Sequence, residues 1–173
     1  MYKRQDSGNS IFVVHNGIIE NHENLRKKLS KEGFKFKSDT DTEVISHLVN
    51  LYKTKGYDFD SAVMRTIAEL KGAYALGIID LENPDLVIGA REHSPLVVGE
   101  GIEENFIASD VMALSQVTNK FKFLQDGQIA LIGSDKIQIM SKNGTAKKIP
   151  TQEIDSNSFT NDLAGYSLSL IHI

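Results

Sequence analysis

Val13-Val14-His15-Asn16-Gly17-Ile18-Ile19-Glu20-Asn21 decides how this 173-residue chain is read. Ile11-Phe12-Val13-Val14 is a short, β-branched apolar run, which predicts a buried strand, and His15-Asn16-Gly17 predicts that the strand runs into a tight bend. An Asn-Gly pair at such a bend sets a backbone N–H beside a carboxamide. Two neutral donors converging on one point are what a developing oxyanion in acyl transfer needs. Asn-Gly is also a common turn dipeptide, and His15 can be an ordinary strand-end histidine with no Ser or Cys nearby to activate. The chemistry therefore depends on what the rest of the chain brings to this stretch.

Downstream the pattern turns helical. Leu25 and Leu29 lie four apart, Arg26-Lys27-Lys28 between them reads as one solvated face, and Gly33 is a stop. A second helix is expected from Asp39-Thr40-Asp41-Thr42-Glu43, where Thr40 and Glu43 match a capping box and acidic residues suit the positive end of the helix dipole. Val44, Ile45, Leu48, Val49 and Tyr52 then line one face. Asp41 at this helix start is suited to a substrate ammonium, but on spacing alone helix capping is the favoured reading. The alternating acids do not make a calcium loop, because the sixth and twelfth positions hold Val44 and Asn50 instead of glycine and glutamate. A third helix is expected over about Asp60 to Leu70, closed by Lys71-Gly72.

Beyond Gly72 the texture changes to strands. Ala73 to Ile79, Leu86 to Ala90, Leu96 to Gly99 and Asn105 to Ala108 are short apolar runs, with a break at Asn83-Pro84. Ser109-Asp110 caps a short helical turn. Three more strands follow, with hairpin signals at Asp126-Gly127, Gly133-Ser134 and Asn143-Gly144. Helices followed by an antiparallel series predict an α+β layered domain.

Composition narrows the function classes. With 19 Lys plus Arg against 23 Asp plus Glu the net charge is −4, so there is no basic excess for nucleic acid or an anionic membrane surface. No run approaches the roughly 18 apolar residues of a membrane span, and Met1 to Ser10 carries no apolar leader, so a cytoplasmic location is expected. There is no cysteine, which excludes disulfides, thiolate metal sites and a cysteine nucleophile within this sequence. His22, His47 and His93 lack zinc spacing, and Gly99-Glu100-Gly101 lacks the third glycine of a phosphate cradle. No metal or organic cofactor is called for.

Taken together, the Val13 to Asn21 stretch, Ser38-Asp39-Thr40-Asp41-Thr42-Glu43-Val44-Ile45, Leu70-Lys71-Gly72-Ala73-Tyr74-Ala75, Ala90-Arg91-Glu92-His93-Ser94-Pro95-Leu96-Val97-Val98-Gly99 and Glu104-Asn105-Phe106-Ile107-Ala108-Ser109-Asp110 resemble the glutaminase domain of the glutamine–fructose-6-phosphate aminotransferase family. The resemblance covers most of the chain in order and fades after about Ser158. It implies an N-terminal-nucleophile hydrolase fold, an αββα sandwich of two antiparallel sheets. It also implies hydrolysis of the glutamine amide, with ammonia passed to sugar-phosphate isomerase domains that make glucosamine 6-phosphate, in a full-length enzyme expected to be a homo-oligomer. By position, Asn16 and the Gly17 N–H would form the oxyanion hole and Asp41 would bind the α-amino group of glutamine.

The departures are equally specific. The family's nucleophile is an N-terminal cysteine whose α-amino group serves as base, and this sequence has none; the upstream arginine-containing substrate loop and the isomerase domains are also not matched. Met1 to Gln5 and Ser167 to Ile173 resemble translated adapter read-through. The expectation is therefore a partial amidotransferase domain over residues 6–160 with foreign ends at 1–5 and 167–173, incomplete at its N-terminus, inactive alone, and prone to aggregate through unpaired edges. The alternatives are another class II amidotransferase, of the amidophosphoribosyltransferase or asparagine synthetase type, and a catalytically dead glutamine-binding or interaction module.

Overall fold

The computed structural model describes residues 5–7 and 10–154. Of the segments expected to be foreign, 1–4 and 167–173 lie outside the described residues, and Gln5 opens the first strand. The elements run β1 (Gln5–Ser7), β2 (Ile11–Ile19), α1 (His22–Lys31), α2 (Glu43–Thr54), α3 (Phe59–Glu69), β3 (Gly72–Asp80), β4 (Asn83–Glu92), β5 (Val97–Glu100), β6 (Asn105–Ala108), a one-turn 3-10 helix (Val111–Leu114), β7 (Lys120–Phe123), β8 (Gln128–Ile132), β9 (Ile137–Ser141), β10 (Ala146–Lys147) and β11 (Gln152–Glu153).

The strands form two antiparallel sheets, one in the order β1-β2-β3-β4-β8-β9-β10 and one in the order β11-β7-β5-β6. The period of two sorts the long strands cleanly. Ile11, Val13 and Ile19 of β2 face the helices together with Tyr74, Leu76 and Ile78 of β3 and Ile88 and Ala90 of β4. Against them pack Leu25 and Leu29 of α1, Val44, Ile45 and Leu48 of α2, and Ala62, Val63 and Ile67 of α3. Ile19, Leu29, Ile45, Leu48 and Leu76 are wholly buried, each contributing roughly 1.5–3 kcal/mol of transfer free energy. The opposite face of the large sheet meets the small sheet through Ala75, Ala130, Ile132 and Ile139 against Val98, Leu96 and Ile107. The outer face of the small sheet, Val97 and Phe121 with Phe106 and Phe123, is covered by Leu114 and Val111 of the 3-10 turn. The layers are thus helices, sheet, sheet, and that single turn.

Several local expectations need correction. Asn16-Gly17 is no turn: β2 continues through it to Ile19, because β3 supplies a partner for every residue, from Ile11 opposite Asp80 to Ile19 opposite Gly72. Asp126-Gly127 joins no hairpin; it carries the chain from β7 in the small sheet to β8 in the large one. The turn between β3 and β4 is Leu81-Glu82, with Asp80 opposite Asn83, so Pro84 sits inside β4. The second helix starts at Glu43, not Asp39, with Thr42 at its N-cap, and the Glu43 carboxylate accepts from the Lys37 and Ser38 N–H groups of the preceding loop. Asp110 does cap the 3-10 turn, accepting from Met112 N–H at 2.7 Å.

Candidate amidotransferase site

The site grows from the edge of β2. Antiparallel pairing sends successive N–H groups to opposite edges of a strand. Glu20 N–H bonds Lys71 C=O, and Leu81 N–H bonds the Ser10 carbonyl, so even-numbered positions of β2 are spent on β3. The odd-numbered N–H groups face the other edge. There β1 pairs only with Ile11 to Val13, and among the described residues no strand covers the edge from Val14 to Ile19. His15, Gly17 and Ile19 thus direct their N–H groups to the margin of β2 that faces away from β3.

Ile19 N–H donates to Asp41 Oδ2 at 2.9 Å. Gly17 lies two residues back along the same margin, roughly 7 Å away at 3.3–3.4 Å per residue. Gly17 has φ +131°, and a Cβ there would stand 2.0 Å from the Ala73 carbonyl oxygen. Only glycine allows β2 and β3 to close this tightly while the Gly17 N–H stays at the margin. Asn16, at an even position, points to the face opposite the helices, where it borders a cleft of 350 Å³ lined also by Val14, Ala75, Leu96 and Ile107. Asn16 is exposed there, as are Val14 at 41% and Ile18 at 65%. The carboxamide and the Gly17 N–H therefore leave the strand at neighbouring positions, one normal to the sheet and one in its plane.

Asp41 reaches this margin on a held loop. His15, whose side chain is only 2% exposed, sets Nδ1 at 3.0 Å from Thr42 Oγ1 and 3.9 Å from Asp41 Oδ1. Arg26 Nη2 donates to the carbonyls of Ser38 at 2.7 Å and Thr40 at 3.3 Å. Buried Glu43 accepts from Lys37 N–H at 2.7 Å, Ser38 N–H at 2.8 Å and Ser38 Oγ at 2.7 Å. Burial alone would raise the Glu43 carboxyl, but these hydrogen bonds, with His47 nearby, outweigh it and hold the group below its ordinary value. His47 lies one turn on with Nε2 at 3.3 Å from Glu43 Oε1. Its burial outweighs the attraction of Glu43 and pushes its pKa down, so the ring is neutral at pH 7.

Of the residues singled out in the sequence, Asn16, Gly17 and Asp41 are brought to one corner of β2. His15, Thr42, Arg26 and Glu43 were missed. Alternation carried through Gly17 puts His15 on the face of Val13 and Ile19, under the helices, and that signal was available. Lys27 and Lys28 are exposed as expected, but Arg26 is half-buried; its guanidinium lies 4.2 Å from the Phe36 ring centroid and reaches the loop carbonyls. Nothing in the spacing announces that. Among the described residues no three acidic, histidine or cysteine side chains gather as metal ligands, and no helix is long and apolar enough to cross a membrane.

The profile of the family described as "Glutamine amidotransferase domain" matches residues 1–116. The chain belongs to this glutamine amidotransferase domain family. The glutamine–fructose-6-phosphate aminotransferase (isomerizing) of Escherichia coli K12 is 50% identical over 147 residues, which is 85% of this chain and 24% of that protein. Its counterpart in Francisella tularensis SCHU S4 is 44% identical over 157 residues, 91% of this chain and 26% of that protein. The amidotransferase chain thus spans about a quarter of the length of these curated relatives. Among solved structures, the glutamine phosphoribosylpyrophosphate amidotransferase of B. subtilis superposes with a TM-score of 0.68 at 23% identity, over 80% of this chain and 30% of that one. A glutamine aminotransferase class-II domain protein from Silicibacter pomeroyi gives 0.60 at 17% identity, over 80% and 70%. These likenesses establish the N-terminal-nucleophile hydrolase fold of class II amidotransferases, with its two antiparallel sheets.

Proposed function

We propose that this chain carries the glutamine-recognition half of an amidotransferase that moves the glutamine amide nitrogen to fructose 6-phosphate, giving glucosamine 6-phosphate and glutamate. Glutamine lies along the margin of β2 that faces away from β3. Its α-ammonium sits on Asp41 Oδ1, while Oδ2 remains on Ile19 N–H. Its amide carbonyl points to Asn16 and the Gly17 N–H. Attack on that carbonyl puts negative charge on its oxygen, and two preorganised neutral donors stabilise that charge with little reorganisation; removing one such donor costs roughly 100- to 1,000-fold in rate. Hydrolysis yields glutamate and ammonia, and the ammonia goes to sugar-phosphate isomerase domains of the longer protein. No cofactor enters this scheme. With no cysteine in the sequence, the chain alone is inactive in hydrolysis. A cytoplasmic, homo-oligomeric full-length protein, with residues 6–160 as amidotransferase domain and foreign residues at the ends, completes the proposal.

The observation that supports it most directly is the Asp41–Ile19 hydrogen bond, because it sets a carboxylate two residues from Gly17 on the same strand margin. The 44–50% identities favour the fructose-6-phosphate enzymes over the amidophosphoribosyltransferase type, to which the likeness is one of fold. A glutamine-binding module without catalysis is the second reading, favoured by an ammonium site retained in a cysteine-free sequence. Calorimetry with glutamine and Asp41→Asn tests the recognition: binding lost in the variant is expected, and equal binding by both proteins overturns it. Ammonia release from glutamine by the chain alone would refute the predicted inactivity.

A further inference from the structure

Asp41 sits on a loop whose polar backbone is gripped from two sides by opposite charges on two different helices. From α1, one Arg26 nitrogen bridges the Ser38 and Thr40 carbonyls. From α2, Glu43 takes the Lys37 and Ser38 N–H groups and the Ser38 hydroxyl. Both grips are stiffened by packing. The guanidinium covers Phe36, and the Phe36 ring stands edge-on to His47 with centroids 4.6 Å apart. His47 closes the circuit on Glu43, and Phe34 lies 5.1 Å away across the same imidazole. The two residues after this gripped segment are Asp41 and Thr42, which meet β2 through Ile19 N–H and His15 Nδ1.

We propose that Arg26 and Glu43 are positioning residues for Asp41: their opposed grip on residues 37–40 sets the direction in which the Asp41 carboxylate faces the β2 margin. The inference rests on the reading of Asp41 as the ammonium site and adds the residues that make it selective. A carboxylate on a loose loop still attracts a cation, but it discriminates poorly between a ligand with an ammonium at one point and a ligand without it. Held in one orientation, it keeps Oδ2 on the strand and leaves Oδ1 for the ligand.

Two readouts on the full chain test this separately from the proposed function. The first is amide exchange of Ile19, whose acceptor is Asp41, against core amides such as Leu48 and Val49. The second is the ratio of affinities for glutamine and for 4-carbamoylbutanoate, its analogue lacking the α-amino group. Arg26→Met is expected to speed Ile19 exchange about tenfold and to lower the affinity ratio about tenfold, since one charge-assisted grip is lost. Core amides and analogue affinity stay unchanged, and Arg26→Lys restores part of both effects. Unchanged Ile19 protection, or faster exchange spread over every core amide, overturns the inference. Wild-type chain that binds glutamine no better than the analogue refutes the ammonium site, while the Ile19 readout still decides the grip. If Arg26→Met does not fold, Glu43→Gln is read in the same two ways.

Discussion

The chain contains two Asn-Gly pairs, and the fold uses them in opposite ways. Asn143-Gly144 makes the turn between β9 and β10: Gly144 takes φ +81°, its N–H bonds the Ser141 carbonyl at 2.8 Å, and Asn143 Oδ1 accepts from Thr145 N–H. Asn16-Gly17 lies inside a continuous ladder, with neighbours on β3 at every position. A Cβ on Gly144 would meet nothing closer than the flexible end of Met64 at 3.3 Å, whereas one on Gly17 would meet a backbone carbonyl at 2.0 Å. The same dipeptide is a local convenience in one place and a tertiary requirement in the other. The proposed glutamine site lies at the second, where the absent side chain lets the two strands close while the Gly17 N–H turns to the edge away from β3.

The largest effect should therefore come from Gly17→Ala. Opening the β2–β3 ladder and forcing an unfavourable φ should cost about 3 kcal/mol or more, measured by urea denaturation. A cost equal to that of Gly144→Ala would break the comparison. Next is Glu43→Ala, which strips two N–H groups and a hydroxyl of a buried acceptor and should cost about 2–3 kcal/mol.

The same carboxylate sharpens the contrast through pH. Glu43 is held below its ordinary 4.5 in the folded chain, so its stabilisation is present above that value and disappears as pH falls through the folded value. His47, depressed below 6.5, acts in the same direction, because unfolding lets it take up a proton below that pH. Midpoints of urea denaturation should decline from about pH 6.5 downward, more steeply below 4.5. Glu43→Gln should flatten the lower part of that decline; an unchanged acid limb would contradict the grip on residues 37–40. Third, Asp41→Asn should weaken glutamine binding about tenfold or more in calorimetry, with a smaller effect on folding since an amide oxygen can still accept from Ile19. The smallest effect is Gly144→Ala, about 1 kcal/mol by the same urea assay, set by the cost of a left-handed alanine.

Much of the architecture was legible because it is written in local periodicity. Leu25 and Leu29, the face from Val44 to Val49, and the runs Ala73 to Ile79 and Leu96 to Gly99 bury most of what their spacing says they should, while Asn105 to Ala108 is only half-buried. Asn16, Gly17 and Asp41 were recognisable as candidates from residue type, order and family resemblance. Illegible were the partners. Arg26 looks like its neighbours Lys27 and Lys28 until Ser38 and Thr40 fold beneath it, and Glu43 looks like a helix cap until it turns back to Lys37. Asp126-Gly127 looks like a hairpin because a turn signal does not say which sheet receives the next strand.

The sequence by itself determined most element types and apolar faces and the lack of a thiol nucleophile, because these follow from side-chain chemistry and spacing; Asn16, Gly17 and Asp41 stood out as candidates only once the family resemblance was added. Only the tertiary structure decided that Asn16-Gly17 stays within a strand, that the Gly17 N–H shares a margin with Asp41, and that two charged side chains from separate helices hold the loop between them. Those are long-range pairings, set by which backbone groups find partners when sheet and helices close on one another.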